Sequence, residues 1–132
     1  MTGRTHVLHS SRSYHGSHGW AAMASGDPRR RYMETDPAPI VPFRAATGRL
    51  TEDVAAFRAT VEAVGPERIA AVIIESVPGG SGVLVPPDGY LQTVEAICRD
   101  HGVQLICDEV LTGFGRTGRW FAFEHWGLRP NP

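Results

Sequence analysis

An acidic pair follows an apolar run in the last third of the sequence. Asp108 and Glu109 come directly after Val103–Cys107, a run typical of a buried strand, and the glycine-rich segment Gly113–Gly118 follows them. In open α/β sheets, ligands bind outside the carboxyl ends of the strands. The carboxylate of Asp108 is therefore well placed to pair with a cationic ring nitrogen of a cofactor. All 13 basic residues are arginine, and the sequence contains no lysine.

A strand, a helix and a second strand lead up to this acidic pair. Ile69–Glu75 is an apolar run of strand length, and the spacing of apolar residues predicts a helix over Asp88–His101. The apolar stripe of that helix comprises Tyr90, Leu91, Val94, Ile97 and Cys98. Both strands are apolar throughout, which is typical of a parallel sheet with helices on both faces, so the sequence predicts an α/β fold. A right-handed crossover then brings Glu75 and Asp108 to the same edge of the sheet.

The preceding half of the chain is less regular. Thr5–Arg12 is predicted as a short strand, and Ser13–Gly26 is a polar segment punctuated by glycine. Arg31–Gly48 is rich in proline and shows little periodicity, which predicts a long irregular connection. A helix is predicted over Thr51–Val64, with Thr51 as its N-terminal cap.

Composition and charge limit the class of protein. The chain is 42% hydrophobic with a net charge of −1, which is ordinary for one globular domain and favours neither nucleic acid nor an anionic membrane as a partner. No apolar run approaches the ~20 residues of a membrane span, and the first residues lack the apolar core of a signal peptide. Cys98 and Cys107 are predicted to be buried free thiols, so a cytoplasmic location is expected.

Four local patterns resemble the class III aminotransferases, enzymes that use pyridoxal phosphate. They are Ser13–Gly16 with Gly26–Arg30 after it, Ile74-Glu75 before a glycine-rich loop, Pro86–Tyr90, and Asp108–Gly118. The last of these, DEV followed by GFGRTG, is the most specific. The resemblance implies that residues 1–132 are part of the large, cofactor-binding domain of the fold type I transferases, incomplete, with a mainly parallel sheet flanked by helices. It also implies transfer of an amino group from an amine or amino acid to a 2-oxo acid.

The resemblance assigns residues to the two faces and the nitrogen of the cofactor ring. Asp108 matches the aspartate that faces the ring nitrogen and keeps it protonated, so that the ring can take up electrons. Val110 matches the residue that packs on one face of the ring. Tyr14 matches the aromatic residue that stacks on the other face.

Three further residues complete the predicted cofactor-binding set. Glu75 matches a family acid near the ring, in the polar network around Asp108. His15 and Gly16 follow the stacking tyrosine, and Gly16 is expected to let the backbone approach the ligand closely. A metal site at His15 and His18 is not predicted, because no cysteine or acid accompanies them nearby.

Two departures from the family pattern bear on a cofactor contact and on the substrate. Many members have a glutamine after DEV that donates to the phenolic oxygen of the cofactor, whereas this chain has Leu111. Aminobutyrate-type members have a second glutamate at the position of Gly80, so the glycine favours the pyruvate-linked or ω-amino acid branches.

The phosphate-binding Gly-Ser segment is expected before Thr5 and the Schiff-base lysine beyond Pro132. No catalytic residue is therefore assigned within the chain, which is expected to be inactive alone.

Alternatives remain open at this point. An aminomutase or a decarboxylase of the same fold would carry the same motif, and a non-catalytic truncated remnant would lack the same two segments. Members of the family are usually homodimers, so a homodimer is expected of the complete protein. Arg29–Arg31 is predicted to be a solvated turn or a dimer contact.

Overall fold

The computed structural model describes residues 2–28, 32 and 39–130. These residues form four strands, β1 (His6–Ser10), β2 (Ile40–Phe43), β3 (Ile69–Glu75) and β4 (Gln104–Asp108). The helices are α1 (Gly19–Met23), α2 (Leu50–Val64) and α3 (Tyr90–Asp100), with 3₁₀ helices at Pro66–Arg68 and Ala122–Trp126. The strands pair in parallel in the order β2-β1-β3-β4. The predicted α/β class is confirmed.

The strand, helix and strand predicted before the acidic pair are confirmed. β3 has the predicted bounds. α3 begins two residues later and ends one residue earlier than predicted, and it buries the five predicted stripe residues. β4 begins one residue later than predicted and includes Asp108. In the ladder between β3 and β4, Glu75 lies directly beside Asp108. The expectation that these two acids share one edge of the sheet is therefore met.

The first half of the chain contains two elements that the sequence did not predict. The helix α1 lies within the polar segment before Gly26, and β2 lies within the connection predicted to be irregular. Pro42 is part of β2 because this is an edge strand, which pairs on one side only and tolerates a residue without an N–H group. Strand β1 is shorter at both ends than predicted. The predicted turn or contact at Arg29–Arg31 lies outside the described residues.

The N-terminus of α2 is held by Asp53 and not by Thr51. The helix begins at Leu50, and no side chain caps its first turn from the N-cap position. The buried carboxylate of Asp53 instead accepts from the backbone N–H groups of Thr47, Gly48 and Arg49, at 2.8, 3.1 and 3.1 Å. Thr51 as the cap was wrong, because an acid in the first turn reaches back to the segment that enters the helix.

The core lies between the sheet and helices α2 and α3. It includes Leu8, Phe43, Phe57, Val61, Val72, Ile74, Leu91, Val94, Ile97 and Leu105. The connections through α2 and α3 advance in the same direction across the sheet, so right-handed crossovers place both helices on the same face. On the other face, Ile106 is 45% exposed. In the part of the chain described, this face is left partly uncovered at β4, so the expectation of helices on both faces of the sheet is not met there.

The two cysteines are free thiols, as predicted. Cys98 is buried and Cys107 is partly buried. Burial, followed by the charge of nearby acids, raises the pKa of both thiols to about 12, so neither is a thiolate at neutral pH. None of the described helices has the length and apolar character needed to cross a membrane.

Candidate functional site

Asp108 ends β4 with both carboxylate oxygens hydrogen-bonded. Its Oδ2 accepts from Nδ1 of His15 at 2.7 Å, and its Oδ1 accepts from the backbone N–H of Val110 at 3.0 Å. The side chain is 12% exposed. The hydrogen bond from His15 is the main cause that holds the pKa of Asp108 below its ordinary value; burial opposes it, and the Val110 N–H assists. Asp108 is therefore an anion at neutral pH with lone pairs left to face a cation.

His15 brings the loop after β1 against Asp108. Its side chain is 2% exposed, and because an ionised carboxylate only accepts hydrogen bonds, Nδ1 carries the hydrogen in this contact. Nε2 is buried and has no hydrogen-bond partner among the described residues. The main chain at His15 is fixed as well, since its N–H donates to the hydroxyl of Ser25 at 2.8 Å. The imidazole is thus a positioning group for the carboxylate.

Glu75 connects the loops after β1 and β3. One carboxylate oxygen accepts from the backbone N–H of Tyr14 at 2.8 Å, and the other accepts from that of Gly79 at 3.2 Å. The residue is 8% exposed. No direct hydrogen bond joins Glu75 to Asp108 in the described part of the chain. Glu75 therefore reaches the network around Asp108 through the backbone of Tyr14 and His15.

Tyr14 and Val110 expose large apolar surfaces near this edge of the sheet. The exposed fraction is 42% for Tyr14 and 88% for Val110. Tyr14 also lines an open cavity of about 480 Å³ together with Arg12, Asp27 and Gly80. Ligand pockets in proteins commonly measure ~300–1,000 Å³. An aromatic ring and an aliphatic side chain of this exposure can pack against a flat ligand.

Gly16 and Gly79 lie close to neighbouring side chains. Gly16 has a φ of +138°, and a Cβ there would lie 2.9 Å from Cβ of Ala21 in α1. A Cβ on Gly79 would lie 2.3 Å from Cδ1 of Leu111, the residue that stands where many family members have glutamine. The close approach of Gly16 to a ligand stays a prediction.

Glu109 has an extensive set of contacts that sequence reasoning missed. Oε1 accepts from the Ser76 hydroxyl at 2.6 Å and from the Phe123 N–H at 3.0 Å. Oε2 accepts from the Ala122 N–H at 3.0 Å and from the Thr112 hydroxyl. Burial opposes ionisation, but these four hydrogen bonds outweigh it and lower the pKa of Glu109. The acidic pair itself was the only signal in the sequence.

The two histidines near Tyr14 have different environments. His15 faces Asp108, whereas the exposed His18 has its Nδ1 3.2 Å from the hydroxyl of Ser17. The described residues contain no group of three or more histidine, cysteine, aspartate or glutamate side chains that could hold a metal ion.

Comparison with known proteins identifies the family. The family model described as aminotransferase class-III matches residues 1–131. The chain belongs to the class III aminotransferases. It is 33% identical over 142 residues to a taurine–pyruvate aminotransferase of Bilophila wadsworthia, with 97% of this chain and 30% of that protein covered. It is 38% identical over 132 residues to an acetylornithine aminotransferase of Methanothermobacter thermautotrophicus, with 99% and 31% covered.

Solved aminotransferase structures contain the same arrangement of elements. A taurine:2-oxoglutarate aminotransferase from Bifidobacterium kashiwanohense, in complex with PLP and glutamate, superimposes with a TM-score of 0.93 at 35% identity. The match covers 98% of the aminotransferase chain described here and 32% of the solved chain. This chain therefore spans about a third of the length of the relatives it matches.

Proposed function

We propose that the protein is a pyridoxal phosphate-dependent aminotransferase and that this chain provides the site for the pyridinium ring. The observation that carries the proposal is the hydrogen-bonded, ionised Asp108 at the carboxyl end of β4 in a class III aminotransferase chain. The proposed assignment of residues 1–132 is to part of the cofactor-binding large domain. Amino transfer from an amine or amino acid to a 2-oxo acid is the proposed reaction.

The residues around Asp108 fit a cationic heterocycle. When bound, pyridoxal phosphate supplies an electron sink for bonds broken at the amino-bearing carbon of the donor. Asp108 holds a proton on a ring nitrogen that faces it, because an ion pair near 4 Å is worth about 4 kcal/mol at an effective dielectric of 20. His15 keeps the carboxylate ionised and oriented. No basic residue is paired with Asp108 in the described part of the chain except His15, so the carboxylate can face a ligand cation.

Tyr14 and Val110 are proposed to hold the two faces of the ring. Support comes from the exposure of both side chains and from the anchoring of their backbones. The N–H of Tyr14 is fixed by Glu75, and the N–H of Val110 is fixed by Asp108. A ring packed between them would have its tilt set by two backbone segments that are each tied to the sheet. Such alignment is a large part of what an active site contributes to rate.

We further propose that the amino donor carries its amino group on a terminal carbon. Gly80 supports this, because it lines the same cavity as Tyr14 and contributes no acidic side chain to it. The named activities of the relatives include taurine–pyruvate, putrescine and acetylornithine aminotransferases. All three amines react at a terminal carbon, which agrees with an ω-amino donor.

The chemistry needs an amine that these 132 residues do not contain. All their basic residues are arginine, so the Schiff-base lysine has to come from polypeptide outside them. The proposal therefore concerns the complete protein, and the isolated chain is expected to show no turnover. A homodimer and a cytoplasmic location are further proposals, supported by the family resemblance.

The test is a donor screen on the complete protein loaded with pyridoxal phosphate. Taurine, putrescine and N-acetylornithine are offered with pyruvate or 2-oxoglutarate, and all nitrogen-containing products are quantified. We expect amino transfer, with Asp108→Asn lowering kcat at least ~100-fold while changing cofactor affinity less, because loss of about two pKa units of interaction with the ring nitrogen corresponds to about 2.7 kcal/mol. Asp100→Asn, which removes an exposed acid at the end of α3, is the control.

Two results would contradict the proposal. Near-normal turnover in Asp108→Asn would remove Asp108 from the ring site. Release of carbon dioxide, or a shift of the amino group within one molecule, in place of transfer would identify a decarboxylase or an aminomutase.

A further inference from the structure

Glu109 joins three separate segments of the chain through its carboxylate. Ser76 lies just after β3, Thr112 lies in the loop after β4, and Ala122 and Phe123 begin the last 3₁₀ helix. Four donors use the accepting positions of the two oxygens, two on each. Glu109 is therefore not available to contact a cofactor or a substrate.

The backbone on both sides of Glu109 is fixed by the same turn. The N–H of Val110 donates to Oδ1 of Asp108 at 3.0 Å, and the N–H of Gly113 donates to the carbonyl of Glu109 at 2.8 Å. The side chain of Val110 is 88% exposed, so side-chain packing within the described residues contributes little to its position. The position of Val110 depends on this turn and on the carboxylate that anchors it.

We propose that Glu109 is a positioning residue that fixes the backbone between Asp108 and Val110, and through it the ring nitrogen contact and one ring face. The proposal rests on the proposed function for those two neighbours. The anchor itself is independent of any ligand, because all four donors belong to the chain. The two statements can therefore be tested separately.

The charge of Glu109 makes the proposal sharply testable. All four donors are neutral, and among the described residues no arginine or histidine forms an ion pair with this carboxylate. In Glu109→Gln the size of the side chain is kept, but an NH₂ group replaces one oxygen and faces two donors. The backbone N–H on that side, from Phe123 or Ala122, then loses its acceptor, whereas the hydroxyl of Ser76 or Thr112 can turn to accept from the NH₂ group. The turn is then expected to loosen.

The experiment compares Glu109→Gln with two other variants of the complete protein. Ser76→Ala removes one of the four donors, the hydroxyl just after β3, and keeps the carboxylate. Glu62→Gln removes the same charge from the exposed side of α2 and serves as the matched control. The measurements are kcat and KM, the affinity for pyridoxal phosphate, the visible circular dichroism per bound cofactor, and amide hydrogen exchange of residues 108–113 without cofactor.

In Glu109→Gln we expect faster exchange at residues 108–113, a weaker circular dichroism signal and kcat lowered ~10- to 100-fold, since misplacement by about 1 Å can cost that much. KM for the donor should change little. Ser76→Ala should move the same readouts in the same direction by less, and Glu62→Gln should leave them unchanged. If Glu109→Gln does not fold, the proposal is decided by whether Ser76→Ala changes these readouts more than Glu62→Gln does.

The proposal is overturned if the folded Glu109→Gln variant loses thermal stability but keeps the exchange rates, dichroism and kcat of the parent. If the parent protein binds no pyridoxal phosphate, the proposed function fails, and hydrogen exchange in the cofactor-free protein still decides whether Glu109 fixes the turn. Faster exchange with unchanged kcat and dichroism in the loaded enzyme would also reject the positioning role.

Discussion

Nδ1 of His15 lies 2.7 Å from Oδ2 of Asp108, and this bond joins residues 93 positions apart in the sequence. The bond ties the loop after β1 to the last residue of β4. In the sheet, β3 lies between β1 and β4. Since His15 is nearly fully buried, the bond holds the carboxylate in one orientation. The state of Asp108 therefore depends on a residue from a different part of the fold.

Removal of this bond should raise the pKa of Asp108. In His15→Ala the main cause of the lowered pKa is gone while burial of the carboxylate remains. Activity that needs the ionised Asp108 carboxylate is then lost at a higher pH during acidification. The acid limb of the pH profile of kcat/KM should therefore shift to higher pH. At pH 7 we expect a loss of ~10-fold or more from misorientation, as for other supporting hydrogen bonds.

Two further variants separate the effect of the hydrogen bond from the effect of the size of the imidazole ring. Asn at position 15 places an amide N–H close to where Nδ1 lies, so His15→Asn should recover part of the activity and of the pH profile. His18→Ala removes an exposed imidazole three positions away and should change neither. An unshifted acid limb in His15→Ala would show that the bond does not set the state of Asp108.

The sequence was sufficient for the part of the fold where hydrophobic periodicity is strong. It predicted β3 to the residue, the buried face of α3, and the meeting of Glu75 and Asp108, because a right-handed crossover between parallel strands leaves few alternatives. It did not predict β2, because Pro42 within a short run argues against a strand unless the strand lies at an edge. Whether a strand lies at an edge depends on the whole sheet and cannot be read from the residues of that strand.

The contacts within the site were less accessible to sequence reasoning. Asp108 was found because it ends an apolar run, but its bond to His15 spans two loops with no periodic pattern between them. Glu109 received no role, because its four donors come from segments that only the folded chain brings together. The same holds for Asp53, whose bonds join it to the segment before α2.

Asp53 should be among the acids most important for stability. It is fully buried, accepts from three consecutive backbone N–H groups and from the Thr47 hydroxyl at 2.9 Å, and pairs with Arg44 at 3.3 Å. Asp53→Ala leaves these buried donors unsatisfied, so a loss of about 3 kcal/mol or more in unfolding free energy is expected.

Glu52→Ala is the control for Asp53, because Glu52 is the preceding acid and forms an exposed pair with Arg49. An exposed pair of this kind contributes about 0–1 kcal/mol. Urea unfolding of the complete protein measures both variants. Equal losses in the two would show that the buried network at the start of α2 contributes no more than a surface pair.

Acidification should remove the stabilisation that Asp53 provides. Burial opposes its ionisation, but the hydrogen bonds led by Thr47 lower its pKa below the ordinary value of 3.8. A carboxyl with a lowered pKa binds fewer protons when folded, so its stabilisation is complete above 3.8 and is lost as the pH falls through the folded-state pKa. The difference in Tm between the parent protein and Asp53→Asn should be constant from pH 7 to about 5 and then shrink. A difference that grows on acidification would contradict this.

Glycine substitutions should separate the rigid side of the site from its adaptable side. A Cβ on Gly26 would lie 2.1 Å from the carbonyl oxygen of Ser11, and backbone atoms cannot move aside without displacing the loop that leads to Tyr14. Gly26→Ala should therefore lower the free energy of unfolding by about 1–3 kcal/mol or more and weaken cofactor binding through Tyr14.

Gly79→Ala meets only the far end of the Leu111 side chain, which is 55% exposed and can rotate away. Near-normal stability and cofactor affinity are expected there, measured by thermal unfolding and by pyridoxal phosphate titration. The reverse order of the two variants would mean that the loop after β1 is the adaptable one and Leu111 the rigid one.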